Sequence, residues 1–299
     1  MPETAVIEVE RLVKRFGDFT AVDTLDLSVR SGEVHGFLGP NGAGKSTTIR
    51  VLLGLYRATS GQVRVLGLDP AHRAAEITRR ISYVPGEVNL WPNLTGQEVL
   101  DALAGLRGNR DQEAERRLIA DFALDTRKLI RTYSKGNRQK VILIAAFAAR
   151  TELLVLDEPT SGLDPLMEDL FQRCVRDATA AGRSVLLSSH ILAEALCESV
   201  TIIKDGRLVE TGRLAEMRHL AASEVSSQLP DGRRAAVTQG LRSMDLHPLG
   251  NGPDLRLSVP RDQVPAVLTL LAAAQAQDIT CTPARLEDLF LRHYAVAAR

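Results

Sequence analysis

The chain has 299 residues and a mass of 32.6 kDa, with 37 Lys plus Arg balanced by 37 Asp plus Glu. Apolar residues at 44% and charged residues at 25% exclude a disordered or collagen-like chain and suit one large domain, or a main domain with a smaller one. The zero net charge argues against a wholesale nucleic-acid binder, which is ordinarily basic.

In chain order, the first 30 residues read as strands. Leu25, Leu27 and Val29 alternate with Asp26, Ser28 and Arg30, the period of a half-buried strand. Residues 34–38 form a short apolar run ending in glycine, and a helix is predicted over 47–55. Val63 and Val65 mark another strand, and 81–84 one more. From Thr95 to about Ala149 the pattern is helical, with Leu100, Leu103, Ala104 and Leu106 at helix spacing. Residues 153–156 read as a buried strand stopped by Asp157, Glu158 and Pro159, and 185–187 and 200–203 read the same way. Buried strands alternating with helices predict an α/β fold with a mainly parallel sheet covered on both faces. The expected organisation is a main domain over 4–215, with an antiparallel β subdomain and an inserted helical subdomain at about 88–150. Beyond it, 216–299 read as a small α+β appendage. There Leu255, Leu257 and Val259 alternate with Arg256 and Ser258, a Leu/Ala helix spans 264–276, and a last helix covers 286–294.

The longest apolar run, 141–149, has nine residues, against about 20 for a membrane-spanning helix. The first eleven residues hold three Glu and no apolar core, so no signal peptide is expected. Cys174, Cys197 and Cys281 lie far apart without metal-ligand spacing and read as buried thiols of a reducing compartment.

The strongest chemical signal is Gly39-Pro40-Asn41-Gly42-Ala43-Gly44-Lys45-Ser46-Thr47. It fits G-x-x-x-x-G-K-[ST], follows a strand and opens a helix. Glycines let backbone N–H groups surround phosphate oxygens, and the helix N-terminus adds a positive dipole end. Lys45 brings charge to the β/γ-phosphates, and the Ser46 hydroxyl can bind Mg²⁺. Asp157, at the end of the buried strand, fits a carboxylate that holds Mg²⁺, usually through water, and Glu158 beside it can polarise the attacking water. No Asn-Lys-x-Asp guanine-reading element occurs, which weakens a GTPase reading.

Several further segments resemble the ATP-binding cassette (ABC) ATPases, over roughly 4–215. Tyr133-Ser134-Lys135-Gly136-Asn137-Arg138-Gln139-Lys140 stands where the family carries its Leu-Ser-Gly-Gly-Gln signature, with Ser134 lying 23 residues before Asp157. Ser161-Gly162-Leu163-Asp164 resembles the D-loop, and Ser188-Ser189-His190 the switch histidine. Phe16 takes the place of the adenine-stacking aromatic; a core role is its alternative. The resemblance implies a P-loop NTPase that binds ATP and Mg²⁺. Two cassettes, either two copies or a copy and a homologue, would close head to tail, with Ser134, Gly136 and Asp164 facing the nucleotide held by the partner. His190 would contact the γ-phosphate and hold Glu158 and water in line.

Two departures stand out. The family's glutamine after the 81–84 strand is Gly86 here, followed by Glu87, which is either a substitute oxygen ligand or a charge at a permease interface. The signature carries Lys135 and Asn137. The stretch 83–96 resembles the variant of bacterial drug and antibiotic exporters. A separately encoded polytopic permease is therefore expected as partner, with the chain on the cytoplasmic face of the cell membrane and no nucleic acid involved. Trp91, the only tryptophan, reads either as an anchor for that permease or as a subdomain core residue. The competing function is a soluble ABC ATPase acting on the ribosome or another macromolecular machine.

Overall fold

The computed structural model describes residues 5–189, 195–220, 223–230, 232–248 and 254–282. The chain divides into two compact units, Met1–Thr211 and Gly212–Arg299.

The first unit begins with a hairpin of β1 (Ala5–Phe16) and β2 (Phe19–Arg30). Gly17, at φ +56°, supplies the left-handed conformation that the tight turn requires, and Phe16 pairs with Phe19 across it. Leu25, Leu27 and Val29 are buried as their alternation predicts. After β3 (Val34–Leu38) and α1 (Lys45–Leu52), β4 (Ser60–Val65) returns to the other side of β1, giving an antiparallel sheet in the order β2-β1-β4.

The second sheet is six-stranded. It takes in β5 (Ile81–Val84), β6 (Leu153–Asp157), β7 (Ser184–Ser188), β8 (Ser199–Lys204) and β9 (Arg207–Arg213), in the order β5-β6-β7-β3-β8-β9. The pairs β5–β6, β6–β7, β7–β3 and β3–β8 are parallel. β3, β6 and β7 are buried along their whole length, which explains why they are mainly apolar. The main core lies where Phe37, Val155 and Leu186 of this sheet meet Ile7, Leu25 and Val29 of the antiparallel sheet and Ile49 and Leu52 of α1.

Three α-helices form the expected helical stretch: α3 (Gly96–Arg107), α4 (Gln112–Asp121) and α5 (Lys135–Phe147), capped at their N-termini by Thr95, Asp111 and Ser134. The helix predicted to start at Thr47 begins at Lys45. On α3 the buried residues are Gly96, Val99 and Leu100, whereas Leu106 is exposed, so the apolar spacing runs past the packed face. Two described helices of this unit are absent from the predicted elements, α2 (Pro70–Arg80) and α6 (Pro165–Ala180). The latter buries Met167, Leu170, Phe171, Cys174, Val175 and Ala178 at helical spacing.

The second unit contains a helix, Leu214–Leu220, and a three-stranded antiparallel sheet. Strands β10 (Ser223–Gln228), β11 (Asp254–Val259) and β12 (Gln277–Thr282) lie in the order β11-β10-β12. Val237 and Leu241 of the helix Arg234–Arg242, with Val267 and Leu271 of the helix Val264–Ala273, pack on Val225, Leu255, Leu257 and Val259. The helix expected over 286–294 lies outside the described residues. Cys174 and Cys197 are buried as expected, but Cys281 is exposed, because β12 is an edge strand exposed along its length.

Candidate functional site

The Gly-rich loop joins the end of β3 to the start of α1. Gly42 and Gly44 have φ of +83° and +101°. A Cβ on Gly44 would fall 2.6 Å from the Ala21 carbonyl oxygen, so this position requires glycine twice over. Lys45, the first residue of α1, is 7% exposed, and its Nζ donates to the carbonyls of Gly39 (2.6 Å) and Pro40 (3.1 Å). Burial lowers its pKa, while the charges of Glu158 and Asp157 push the other way.

The sheet order explains how distant segments meet. β7 lies between β3 and β6, so the P-loop strand and the acidic strand end one strand apart. Ser46 Oγ donates to Asp157 Oδ2 at 3.0 Å, joining the two motifs directly. Glu158 follows at φ +45°, a left-handed conformation costing a non-glycine residue about 1–3 kcal/mol. Its N–H donates to the Ser188 carbonyl at 2.9 Å, which fixes this turn against β7.

Ser188 was not singled out by its own chemistry. It pairs in register with Asp157 and is 0% exposed, and its Oγ is one of the few buried side-chain atoms without a partner among the described residues. An orphaned buried hydroxyl is costly unless a further polar group completes it. At the C-terminal ends of these strands Ser46 and Asp157 supply hard oxygen donors, with Ser188 paired beside Asp157, a set that fits Mg²⁺, which needs few protein ligands and keeps its waters. Tyr83 on β5 also belongs to these surroundings: burial, followed by the Asp157 charge, pushes its pKa up to about 12.

The signature residues sit against the loop 159–164. Ser134 Oγ accepts from Asn137 N at 3.2 Å as the N-cap of α5. Gly136 is close-packed, since a Cβ there would lie 2.6 Å from the Gly162 carbonyl oxygen. Asp164 Oδ1 accepts from Met167 N at 3.0 Å and so caps the helix Pro165–Ala180. Lys135, one of the departures in the signature, and Gln139 hold Ser161 and Pro159 respectively, contacts that are not legible in the sequence.

Phe16 is 43% exposed at the end of β1, outside the core, with its ring edge-on to Tyr56 at 5.3 Å and Lys14 Nζ over it at 4.6 Å. Gly86 borders the acidic pair, with a hypothetical Cβ 3.4 Å from the Asp157 carbonyl oxygen, whereas Glu87 is exposed. Trp91 is 48% exposed, which removes its reading as a core residue. His190 lies outside the described residues.

Known proteins resemble this chain over most of its length. The profile of a family described as ABC transporter matches residues 22–161. The daunorubicin/doxorubicin resistance ATP-binding protein DrrA of Streptomyces peucetius is 39% identical over 81% of this chain and 76% of its own. The bacitracin transport ATP-binding protein BcrA of Bacillus licheniformis is 34% identical over 82% of this chain and 81% of its own. A solved ATP-binding subunit of an ABC transporter superposes with a TM-score of 0.67 at 33% identity, over 71% of this chain and 92% of that one.

Proposed function

The chain belongs to the ABC transporter family as an ATP-binding cassette with ATPase activity, and from that premise we propose that it energises export of a small molecule, a drug or antibiotic, through a separate membrane permease. The observation that carries the enzymatic part is the hydrogen bond from Ser46 to Asp157, which puts the phosphate loop, the metal-binding carboxylate and Glu158 in one place. Export is supported by the two relatives, a drug-resistance and a bacitracin transport subunit, and the soluble alternative is not favoured. In this reading the permease is a partner chain and the cassette sits on its cytoplasmic face; among the described residues no helix is long and apolar enough to cross a membrane.

In this reading the loop 39–47 cradles the phosphates through its backbone N–H groups, and Lys45 exchanges its loop carbonyls for the β/γ-phosphate oxygens. Ser46 and Asp157 hold Mg²⁺, which when bound neutralises charge on the phosphates. Glu158 accepts a proton from the attacking water. Phe16 offers its face to adenine. Ser134 and Gly136 complete the γ-phosphate site of a second cassette closing head to tail, with Asp164 beside them and His190 aligning water.

Glu158→Gln tests the assignment. The amide keeps the shape but accepts no proton, so ATP binding persists and turnover falls by about 10²-fold or more. The ATP-bound dimer then accumulates in size-exclusion chromatography. Turnover near wild type would remove Glu158 from its role. Membrane association that depends on co-expressing a permease encoded beside this chain's gene tests the transport half, and association without any permease would count against it.

A further inference from the structure

Lys135 replaces a glycine of the family signature, and the fold makes use of the replacement. Its Nζ donates to Ser161 Oγ at 2.7 Å, in the loop that follows Glu158. Its stem lies across Gly162, where an added Cβ would come within 3.2 Å of Lys135 Cδ and 3.3 Å of Cγ. Gly162 has φ +87°, so this bare, left-handed backbone is what the stem covers. One residue further on, Gly136 meets the Gly162 carbonyl at the close approach already described. Next along the helix, buried Gln139 donates from Nε2 to the Pro159 carbonyl at 2.7 Å.

The first turns of α5 thus hold residues 159–162 at three points. Within the loop, Ser161 N donates to the Glu158 carbonyl at 3.2 Å and Leu163 N to the Thr160 carbonyl at 3.0 Å. Its far end is fixed by Asp164 capping the next helix, and its near end is the left-handed Glu158.

We infer that Lys135 is a positioning residue. It fastens Ser161 and Gly162 to the N-terminal turn of α5, so that Ser134, Ser161 and Asp164 meet the partner cassette as one rigid surface. Through the Ser161 N–H on the Glu158 carbonyl, the same clasp supports the strained conformation of Glu158. A glycine has no side chain to reach Ser161, whereas the four-carbon stem of lysine spans the gap and ends in a charged donor, stronger than a neutral one. The role in the dimer rests on reading the chain as one half of an ATP-closed pair; the clasp itself does not.

The test uses the full chain without nucleotide, with Lys135→Gly, Lys135→Met and Lys135→Arg compared by amide hydrogen exchange on peptides covering 158–164. Lys135→Gly is expected to speed exchange there by about fivefold to tenfold, the scale of one lost charged hydrogen bond at a partly solvated site. Lys135→Met, which keeps the stem, falls in between, and Lys135→Arg restores protection. Peptides from β6 and α1 stay unchanged, as does the affinity of the isolated subunit for a fluorescent ATP analogue. In a Glu158→Gln background, Lys135→Gly weakens ATP-dependent dimerisation by a similar factor. Unchanged exchange over 158–164 in Lys135→Gly would overturn the clasp, and so would failure of Lys135→Arg to restore it. If Glu158→Gln alone does not dimerise with ATP, it is the paired-cassette reading that falls, and exchange still decides the clasp.

Discussion

Lys45 shows what a single buried charge does in this site. It is held by two loop carbonyls beside two carboxylates, and burial works against its charge. Phosphate oxygens would replace neutral acceptors with charged ones, so most of the gain on binding nucleotide is expected here. Lys45→Ala should weaken binding of a fluorescent ATP analogue or abolish turnover; unchanged affinity together with unchanged turnover would contradict the phosphate assignment. Glu87 is a contrasting case. Gly86 lies beside the acidic pair, but Glu87 is exposed, which favours the permease interface over metal ligation. Glu87→Ala should therefore spare the ATPase of the isolated subunit and reduce permease-coupled transport. A changed Mg²⁺ dependence in the isolated subunit would make Glu87 a ligand instead.

At the scale of elements, the helix starts are written in short side chains. Thr95 and Glu98 form a reciprocal capping box at α3, with Glu98 accepting from Thr95 N at 2.7 Å and Thr95 Oγ1 accepting from Glu98 N at 3.2 Å. Thr95→Ala should cost about 1 kcal/mol, seen as a melting temperature lower by about 2–4 °C with ATP affinity unchanged. Lost ATP binding in that variant would mean that α3 supports the nucleotide site, which its distance along the chain from the P-loop does not suggest. The same logic makes Ser134 and Asp164 double-purpose, since each now caps a helix and each is proposed to face a partner's nucleotide.

The whole first unit carries a buried polar knot away from the nucleotide site. Glu33, 5% exposed, accepts from Arg30 N at 2.8 Å, Arg30 Nε at 3.1 Å and Ser199 Oγ at 3.1 Å, and His35 Nδ1 lies 3.2 Å away. Burial raises its pKa, but the hydrogen bonds of His35 and the Arg30 backbone, with their charges, outweigh that and bring it from 4.5 down to about 2. A folded value below the unfolded one means stability present above about pH 4.5 and lost as pH falls towards 2. The advantage of wild type over Glu33→Gln in urea unfolding should thus be on the order of 2–3 kcal/mol at pH 7 and shrink below pH 4.5. A gap independent of pH would remove Glu33 as the titrating group. Thiol exposure gives a second check on the global fold. Cys281 should react rapidly with an aromatic disulfide reagent, whereas Cys174 and Cys197, pushed up to about 11 and about 12 mainly by burial, wait for unfolding.

The sequence by itself determined the elements whose chemistry is local. The P-loop could be read because its glycines, lysine and serine are contiguous, and β3, β6, β7 and β8 because strands buried on both faces are mainly apolar. Pro165–Ala180 is as local a case, with Asp164 as its cap, Pro165 in its first turn and its buried apolar residues at helical spacing, although the elements predicted from the sequence do not include it. Only the tertiary structure placed β7 between β3 and β6 and so set Ser188 beside Asp157, because strand order depends on crossovers that leave no mark in local periodicity. The same holds for Lys135 on Ser161, 26 positions apart, and for Gly136 against Gly162. Sequence spacing could name these residues, but the distance at which two backbones approach is decided by how α5 packs against the loop, and that is a property of the folded chain.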